Sequence, residues 1–587
     1  MVRLTIDGRE VEVEEHTTIL DAARTAGVNI PTLCYLRDIN EIGSCRVCAV
    51  EVEGIDQLVA SCNNYVLDGM VVRTNSPKVR AARKVNVELL LSRHKTACTS
   101  CVRSGNCTLQ ELANDLNIYY LDYAEHVPFV HWDKTYPLIR ENHKCIDCMR
   151  CVQVCDKVQA SRIWDATSRS THRTVNVVGG RSFDDVDCTY CGQCITHCPT
   201  GALRERDDTE RVFRALADPN VTTIVQVAPS VRTSWGDEFG LGADEGSLGR
   251  LVSALRPMGF DYIVNTDFSA DLTIMEEGTE LLAHMAREGD KDAAERLPMF
   301  TSCCPGWVRF VKAHYPQLVD HVSTSKSPQQ MFGAVVKSYY ADLLGLDPHG
   351  IFSVSIMPCV AKKAEADIEC MNDACGDPDV DAVLTVREVT RMIRAEHVCV
   401  DALEPSAFDE PLGMGTGAGI IFGATGGVME AALRTAHHIV TGRAPEEDMF
   451  ERVRGLEGWK EATFDLAGTS VRVAVASGLA NAKRLCDAVL AGRASYDFVE
   501  VMACPGGCVG GGGQPIREGE ERAGERGQVL YGLDKIAQYR NSYENPSIVR
   551  CYEEYFGAPM SERAEELLHT DQHAWQMPGE RGLGPLA

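Results

Sequence analysis

Phe300-Thr301-Ser302-Cys303-Cys304-Pro305-Gly306-Trp307 is the stretch that the rest of this 587-residue chain serves. Two other segments complete it: Met357-Pro358-Cys359-Val360-Ala361-Lys362-Lys363, about fifty residues on, and Met502-Ala503-Cys504-Pro505-Gly506-Gly507-Cys508 far downstream. Five cysteines thus sit in three short, apolar-flanked segments. Buried cysteines gathered this way bind soft metal as thiolates more often than they merely fill space. Four thiolates hold one [4Fe–4S] cubane, so one thiol is surplus beside the metal.

These segments resemble the three signature motifs of the [FeFe]-hydrogenases, which read roughly TSCCPGW, MPCxxKxxE and CxxxCxxGGGQP. Here the second continues through Lys362 to Glu365, and the third through Gly511-Gly512-Gly513-Gln514-Pro515. The resemblance implies an H-cluster, a [4Fe–4S] cubane bridged to a two-iron unit that carries CO, CN⁻ and an azadithiolate. It implies Cys304, Cys359, Cys504 and Cys508 as cubane ligands, with Cys508 also the bridge. Lys362 resembles the lysine that donates to a cyanide. Ala228-Pro229-Ser230 and Pro328-Gln329 resemble loops at the other diatomic ligands. Met357 and Met502 resemble the methionines around the two-iron unit, although either alone reads as core filling. Cys303, the surplus thiol, resembles the family's proton donor, with Glu277, Ser323 and Glu280 leading outward. Glu277 and Glu280 are three apart, on one helical face; without the motifs such a pair reads as a solvated acidic helix. The family's outermost arginine is His284 here. Pro505 stands where some relatives carry a polar residue.

The charge balance is −26, which argues against nucleic acid or an anionic membrane as partner. No apolar run is long enough for a transmembrane helix, and no secretory signal is read at the start, so a cytoplasmic location is expected. Of the 25 cysteines, nineteen fall into cluster-binding sets. Cys303 is separate, and Cys370, Cys375, Cys399, Cys486 and Cys551 read as packing or bystander thiols.

Residues 1–78 open with a hairpin, Val2–Glu14, and a helix, Thr18–Ala26, before Cys34, Cys45, Cys48 and Cys62. The spacing resembles a plant-type [2Fe–2S] domain like that of the large iron–sulfur subunit of complex I; zinc is the alternative. Residues 79–118 carry His94, Cys98, Cys101 and Cys107. In isolation that set reads first as structural zinc; after a [2Fe–2S] domain its order resembles the His-ligated [4Fe–4S] site of complex I and multi-cluster hydrogenases. Residues 119–210 hold a connector and then Cys145, Cys148, Cys151 and Cys155, repeated as Cys188, Cys191, Cys194 and Cys198. This is the two-cluster ferredoxin pattern, in which the fourth cysteine of each run serves the other cluster. One [4Fe–4S] therefore takes Cys145, Cys148, Cys151 and Cys198, and the second takes Cys188, Cys191, Cys194 and Cys155. Four clusters in series make sense as an electron relay.

From 211 to 524 the texture is α/β: apolar runs Thr222–Val227, Tyr262–Val264, Phe352–Ile356, Val471–Val475 and Phe498–Met502 alternate with helical stretches such as Met331–Leu344 and Gly427–Ala436. Several runs end in the motif residues, as ligand loops do at the carboxyl ends of parallel strands. The fold class expected is multidomain α/β and α+β: a β-grasp [2Fe–2S] domain, small iron–sulfur modules including a two-cluster ferredoxin-like domain, and a two-lobed α/β H-cluster domain. Residues 525–587 form a helical tail that resembles the separate small subunit of some relatives.

The resemblance implies reversible H2 oxidation and proton reduction, with an H-cluster, three further [4Fe–4S] clusters and one [2Fe–2S] cluster. It implies partners like complex I's flavin/NAD(P)-binding and [2Fe–2S] subunits, with electron bifurcation in view, or ferredoxin. No nucleotide-binding glycine fingerprint is read in the chain itself. Competing readings are a non-catalytic iron–sulfur scaffold and an H2 sensor. Retention of Cys303, Lys362, Glu277 and the cubane cysteines weighs against the first, and the short tail against the second.

Overall fold

Asp7 and Gly8, at φ 47° and 81°, form a tight turn with both central residues left-handed, which matches strand twist in two-residue hairpins. Val2–Ile6 and Arg9–Val13 consequently pair antiparallel, from Val2 opposite Val13 to Ile6 opposite Arg9. The computed structural model that contains this hairpin describes residues 1–242, 245–286, 298–517 and 521–581. A five-stranded mixed sheet follows, in the order Arg9–Val13, Val2–Ile6, Val71–Arg73, Ala49–Val52, Val59–Ala60. The helix Ile19–Thr25 is capped by Thr18, whose hydroxyl accepts from Asp21 N at 3.1 Å. Pro77–Leu91 starts with Pro at its first position behind the Ser76 cap. Its buried Arg83 donates to the carbonyls of Val47, Ala49 and Thr74 and so fixes the helix to the sheet.

The duplicated cysteine runs fold alike. Asp147 and Met149 in the first, and Tyr190 and Gly192 in the second, are all left-handed, so each run turns twice around its thiols before a short helix, Arg150–Gln153 or Gln193–Thr196. The repeats differ at Met149 and Gly192 because the second faces the catalytic domain. A Cβ on Gly192 would stand 2.8 Å from Gly512 Cα, and one on Gly512 would stand 2.4 Å from Cys191 O.

Two four-stranded sheets build the catalytic domain. The first is parallel throughout: Tyr262–Asn265, Thr222–Val227, Ile351–Met357, Ala382–Thr385. Its strands are buried on both faces, which explains their unbroken apolar runs. In the second, Met299–Phe300, Phe498–Met502 and Thr469–Ser477 are parallel, and Trp459–Leu466 runs antiparallel at the edge. That edge strand lies outside the runs expected from sequence. Its alternation of buried and exposed residues comes from having one wet face. The long helix expected at Met331–Leu344 is divided into Pro328–Val335, a wider π turn over Val336–Tyr340, and Ala341–Leu344.

Each sheet has its own core: Val225, Val354 and Leu384 lie in one and Val473, Phe498 and Met429 in the other. The C-terminal segment is part of the body rather than an appendage. Ile548, Tyr552, Phe556, Leu567 and Leu568 share a core with Phe268, Leu272 and Phe332. Asp534, fully buried, is held by Arg434 and Arg540. No helix among the described residues is long and apolar enough to cross a membrane.

Candidate active site and metal centres

None of the 25 cysteines is paired in a disulfide, and the fold sorts them into groups. Cys304, Cys359, Cys504 and Cys508 converge from three loops that leave the carboxyl ends of Met299–Phe300, Ile351–Met357 and Phe498–Met502. Burial raises each thiol's pKa first, and the neighbouring thiols raise those of Cys359, Cys504 and Cys508 further; Cys508 is pushed up to about 12. Four buried thiols that penalise one another's ionisation suit a soft polynuclear cation and little else. The glycine run that follows packs flat on the second motif. A Cβ on Gly511 would lie 2.1 Å from Pro358 O, and one on Gly513 2.6 Å from Cys359 N, so both positions must be glycine.

Around these thiols the expected residues are placed as follows. Ala228, Pro229 and Ser230 follow the strand Thr222–Val227, all buried, and Ser230 Oγ has no hydrogen-bond partner among the described residues. Met357 and Met502 are buried, one in the core of each lobe. Gln329 is buried beside Pro328, its Nε2 donating to Lys362 O and Glu365 Oε2 while Oε1 is unmatched. Unmatched buried polar atoms require an explanation, and a bound polar group beside four thiols supplies one. The donor set therefore fits an iron–sulfur centre with a further polar ligand.

Lys362, the residue that resembles a cyanide donor, is oriented by protein partners. Its ammonium is held 2.9 and 3.1 Å from the Glu365 carboxylate and 3.2 Å from Cys303 O. Glu365 also accepts from Ser327 and Gln329. The final Glu of the second motif thus fixes a buried positive charge close to the cluster thiols. Sequence gave its position in the motif but not this role; the three-residue spacing from Lys362 on a helix is the signal that could have found it.

Glu277 and Glu280 lie on the helix Thr266–Ala286 and are 0 % and 4 % exposed, so the solvated-helix reading does not hold. Glu277 Oε1 accepts from Ser302 N at 3.2 Å, and its other oxygen is unmatched. Burial, with Glu280 next, lifts the Glu277 carboxyl to about 8, so it is neutral at pH 7 and able to donate. Ser323 Oγ donates to Glu280 Oε2 at 2.5 Å and also reaches the Glu277 carboxyl. Cys303 is buried, its thiol pushed well up by burial and then by Glu277. Glu500, absent from the expected set, is a fully buried carboxylate that caps the helix Gly427–Thr441 through Gly426 N and Met429 N.

Nearer the N-terminus, Cys145, Cys148, Cys151 and Cys198 line one cavity, and Cys155, Cys188, Cys191 and Cys194 lie near one another as a second group. The second group touches the catalytic thiols, Cys504 Sγ lying 3.7 Å from Cys191 O. Two further groups both abut the first. Cys34, Cys45, Cys48 and Cys62 are buried together, and Asn40 Nδ2 bridges Cys34 O at 2.6 Å and Cys148 O at 2.9 Å. His94 Nδ1 donates to Lys144 O at 2.9 Å, which leaves Nε2 available to ligate a metal. Cys101 Sγ lies against Gly201, Cys107 Sγ is 3.8 Å from Pro199 O, and Cys98 is half-buried. Among the thiols read as packing, Cys486 and Cys551 are buried, but Cys399 is exposed.

Comparison with known proteins agrees with this arrangement. Residues 221–512 match the iron only hydrogenase large subunit, C-terminal domain. Residues 1–77 match a 2Fe-2S iron-sulfur cluster binding domain, 83–120 the NADH-ubiquinone oxidoreductase-G iron-sulfur binding region, 144–202 a 4Fe-4S dicluster domain, and 520–575 the iron hydrogenase small subunit. The chain is 45% identical to the NADP-reducing hydrogenase subunit HndD of Solidesulfovibrio fructosivorans, over 97% of this chain and 98% of that one. It is 40% identical to iron hydrogenase 1 of Clostridium pasteurianum, over 97% and 99%. A structure of [FeFe]-hydrogenase HydA1 from Chlamydomonas reinhardtii superposes with a TM-score of 0.56 at 40% identity, covering 63% of this chain and 99% of that one. With its thiol groups, its signature loops and these relatives in agreement, the chain belongs to the iron-only, or [FeFe], hydrogenases.

Proposed function

We propose that this chain is the catalytic subunit of an [FeFe]-hydrogenase that exchanges electrons with an NAD(P)-linked flavoprotein partner, with ferredoxin as a second carrier and bifurcation between them as the working mode. The observation that carries the reading is the convergence of Cys304, Cys359, Cys504 and Cys508 beside the unligated Cys303 and its buried carboxylates. Those four thiols would hold the cubane of the H-cluster, Cys508 also bridging to the two-iron unit. Ala228, Pro229, Ser230, Pro328, Gln329, Met357, Met502 and Lys362 would line that unit. When bound, the H-cluster supplies the two-electron chemistry that interconverts H2 with protons and electrons.

The chain's own residues move the protons. Cys303 presents a neutral thiol, which gives up a proton on the cofactor side and regains one from Glu277. Glu277, neutral up to about pH 8, is refilled through Ser323 from Glu280. Lys362, fixed by Glu365, contributes a permanent positive charge without taking part in the transfer.

The remaining cysteine sets would hold three [4Fe–4S] clusters and one [2Fe–2S] cluster, which would supply an electron relay. Cys188, Cys191, Cys194 and Cys155 would hold the cluster nearest the active site, and Cys145, Cys148, Cys151 and Cys198 the next. The His94–Cys98–Cys101–Cys107 set and the Cys34–Cys45–Cys48–Cys62 set both abut that second cluster's loops, so either can serve as entry. The similarity to a subunit of an NADP-reducing hydrogenase supports a nucleotide-linked partner, and the cytoplasm, which keeps thiols reduced, suits so many cluster cysteines. An anaerobic assay tests the partner: the pure, loaded chain should reduce a low-potential dye from H2 but not NAD(P)+. NAD(P)+ reduction by this chain alone would overturn the need for a flavin subunit.

A further inference from the structure

The path through Glu277, Ser323 and Glu280 does not stop at Glu280. Thr324 Oγ1 donates to Glu280 Oε1 at 3.2 Å, and the same hydroxyl lies 2.8 Å from His569 Nδ1. With its own proton toward the Glu280 carboxyl, the hydroxyl can accept from a protonated Nδ1. On the far side of the ring, Nε2 is 3.1 Å from Glu276 Oε2. Glu276 already accepts from Tyr552 Oη at 2.5 Å and Met560 N at 2.7 Å. When the ring is protonated, Nδ1 faces Thr324 and Nε2 faces Glu276 as donors, so the same carboxyl group that holds Tyr552 and Met560 also holds the imidazolium. His569 is held in place by its backbone: it bridges Ser325, while Lys326 N donates to Leu568 O and Thr570 N to Thr324 O, each at 2.8 Å. Solvent reaches this chain of groups at one end. Glu276 and Glu277 are fully buried, Glu280 is 4 % exposed, His569 is 7 % exposed, and Thr324 is half-buried.

We propose that the proton path opens to solvent at the Thr324–His569 contact, with His569 holding the incoming proton and the Thr324 hydroxyl passing it to Glu280. A hydroxyl conducts a proton but does not store one near neutral pH; an imidazole stores it. In the inward step the Nδ1 proton moves to Thr324 Oγ1 as the hydroxyl's own proton moves to Glu280 Oε1. His569 is left neutral, still donating from Nε2 to Glu276, and regains a proton from water. No electrons move. Glu276, itself held by Tyr552, is a positioning residue that fixes the ring's orientation. The C-terminal segment, which is needed for packing in any case, thereby also supplies the mouth of the path.

This proposal rests on reading Glu277 and Glu280 as the inner path, and the experiment separates the two. H2 production by the fully loaded enzyme with a reduced dye is compared for wild type, Thr324→Val, Thr324→Ser, His569→Gln, His284→Ala and Glu280→Gln, alongside infrared spectra of the protonated-carboxyl stretch. Thr324→Val and His569→Gln should each slow turnover about tenfold or more, and Thr324→Ser should restore it to within about twofold. Both slow variants should shift the carboxyl band that Glu280→Gln removes. If Glu280→Gln stops turnover while Thr324→Val and His569→Gln turn over like wild type with unmoved bands, or if His284→Ala is the slow variant, the mouth lies elsewhere and the proposal is overturned. If Glu280→Gln is itself as fast as wild type, the inner path fails and this extension with it.

Discussion

Cys303→Ala should leave a folded, iron-replete enzyme whose H2 production falls by about 10²–10⁴-fold, the range that a positioned proton donor contributes. The reason is its isolation. Cys303 is buried, and the nearest groups able to reprotonate the site are carboxyls on the helix Thr266–Ala286. Removing the thiol breaks the path at its inner end without touching a cubane thiol. Glu277→Gln should produce a similar loss one step further out. The pH dependence has a definite sign. Burial holds the Glu277 carboxyl protonated up to about pH 8; above that it ionises, the donor is lost, and H2 production in the native enzyme should decline with rising pH. A dye-linked rate profile, with iron determined per chain, checks both. Wild-type rates in Cys303→Ala would remove this thiol from the mechanism.

Lys363→Met should destabilise the protein by about 3–5 kcal/mol, the cost of leaving buried charge without its partner. Lys363 is fully buried, its ammonium 2.6 Å from Asp208 Oδ2 and 3.0 Å from Glu388 Oε1. Glu388 in turn caps the helix Val386–Ala395 and accepts from Asp208 N, so one lysine neutralises the contact between the segment leading out of the iron–sulfur modules and the catalytic domain. Methionine fills the volume but leaves the fully buried Glu388 without its ammonium, while Asp208 keeps Arg206 at 3.0 Å. Thermal unfolding of the loaded protein under anaerobic conditions measures the loss, and cluster content should be unchanged at low temperature. An unchanged melting temperature would mean that the pair is not held in this form.

The adjacent lysines illustrate what could be read from sequence and what could not. Lys362 and Lys363 are chemically equal in the string MPCVAKK. The rotation of about 100° between adjacent helix positions sends the first toward the thiols and the second into a structural ion pair, and only the motif singled out the first. Candidate ligand sets could be read because cluster chemistry fixes cysteine spacing locally, and the crossing expected for Cys155 and Cys198 came from the repeat. The apolar strands Thr222–Val227 and Phe498–Met502 were legible to the residue because both of their faces are buried. Trp459–Leu466 was not singled out, since its alternation is a weaker signal than the apolar run of its neighbour. Asn40, which joins the first domain to Cys148, and His569, which joins the tail to Glu280, carry no local signature. Their partners lie 108 and more than 200 residues away, and no periodicity encodes such a contact.

The site's central claim is that four thiols hold a cofactor that the fifth thiol serves with protons. The most direct test is an anaerobic infrared spectrum of the matured protein, before and after H2, in wild type and Cys303→Ala. Metal-bound CO and CN⁻ absorb where the polypeptide is silent. Wild type should show their bands and shift them under H2; Cys303→Ala should show the bands with little or no response on the same timescale. No such bands in protein supplied with the two-iron unit and carrying a full complement of iron would contradict the account and favour an iron–sulfur scaffold instead.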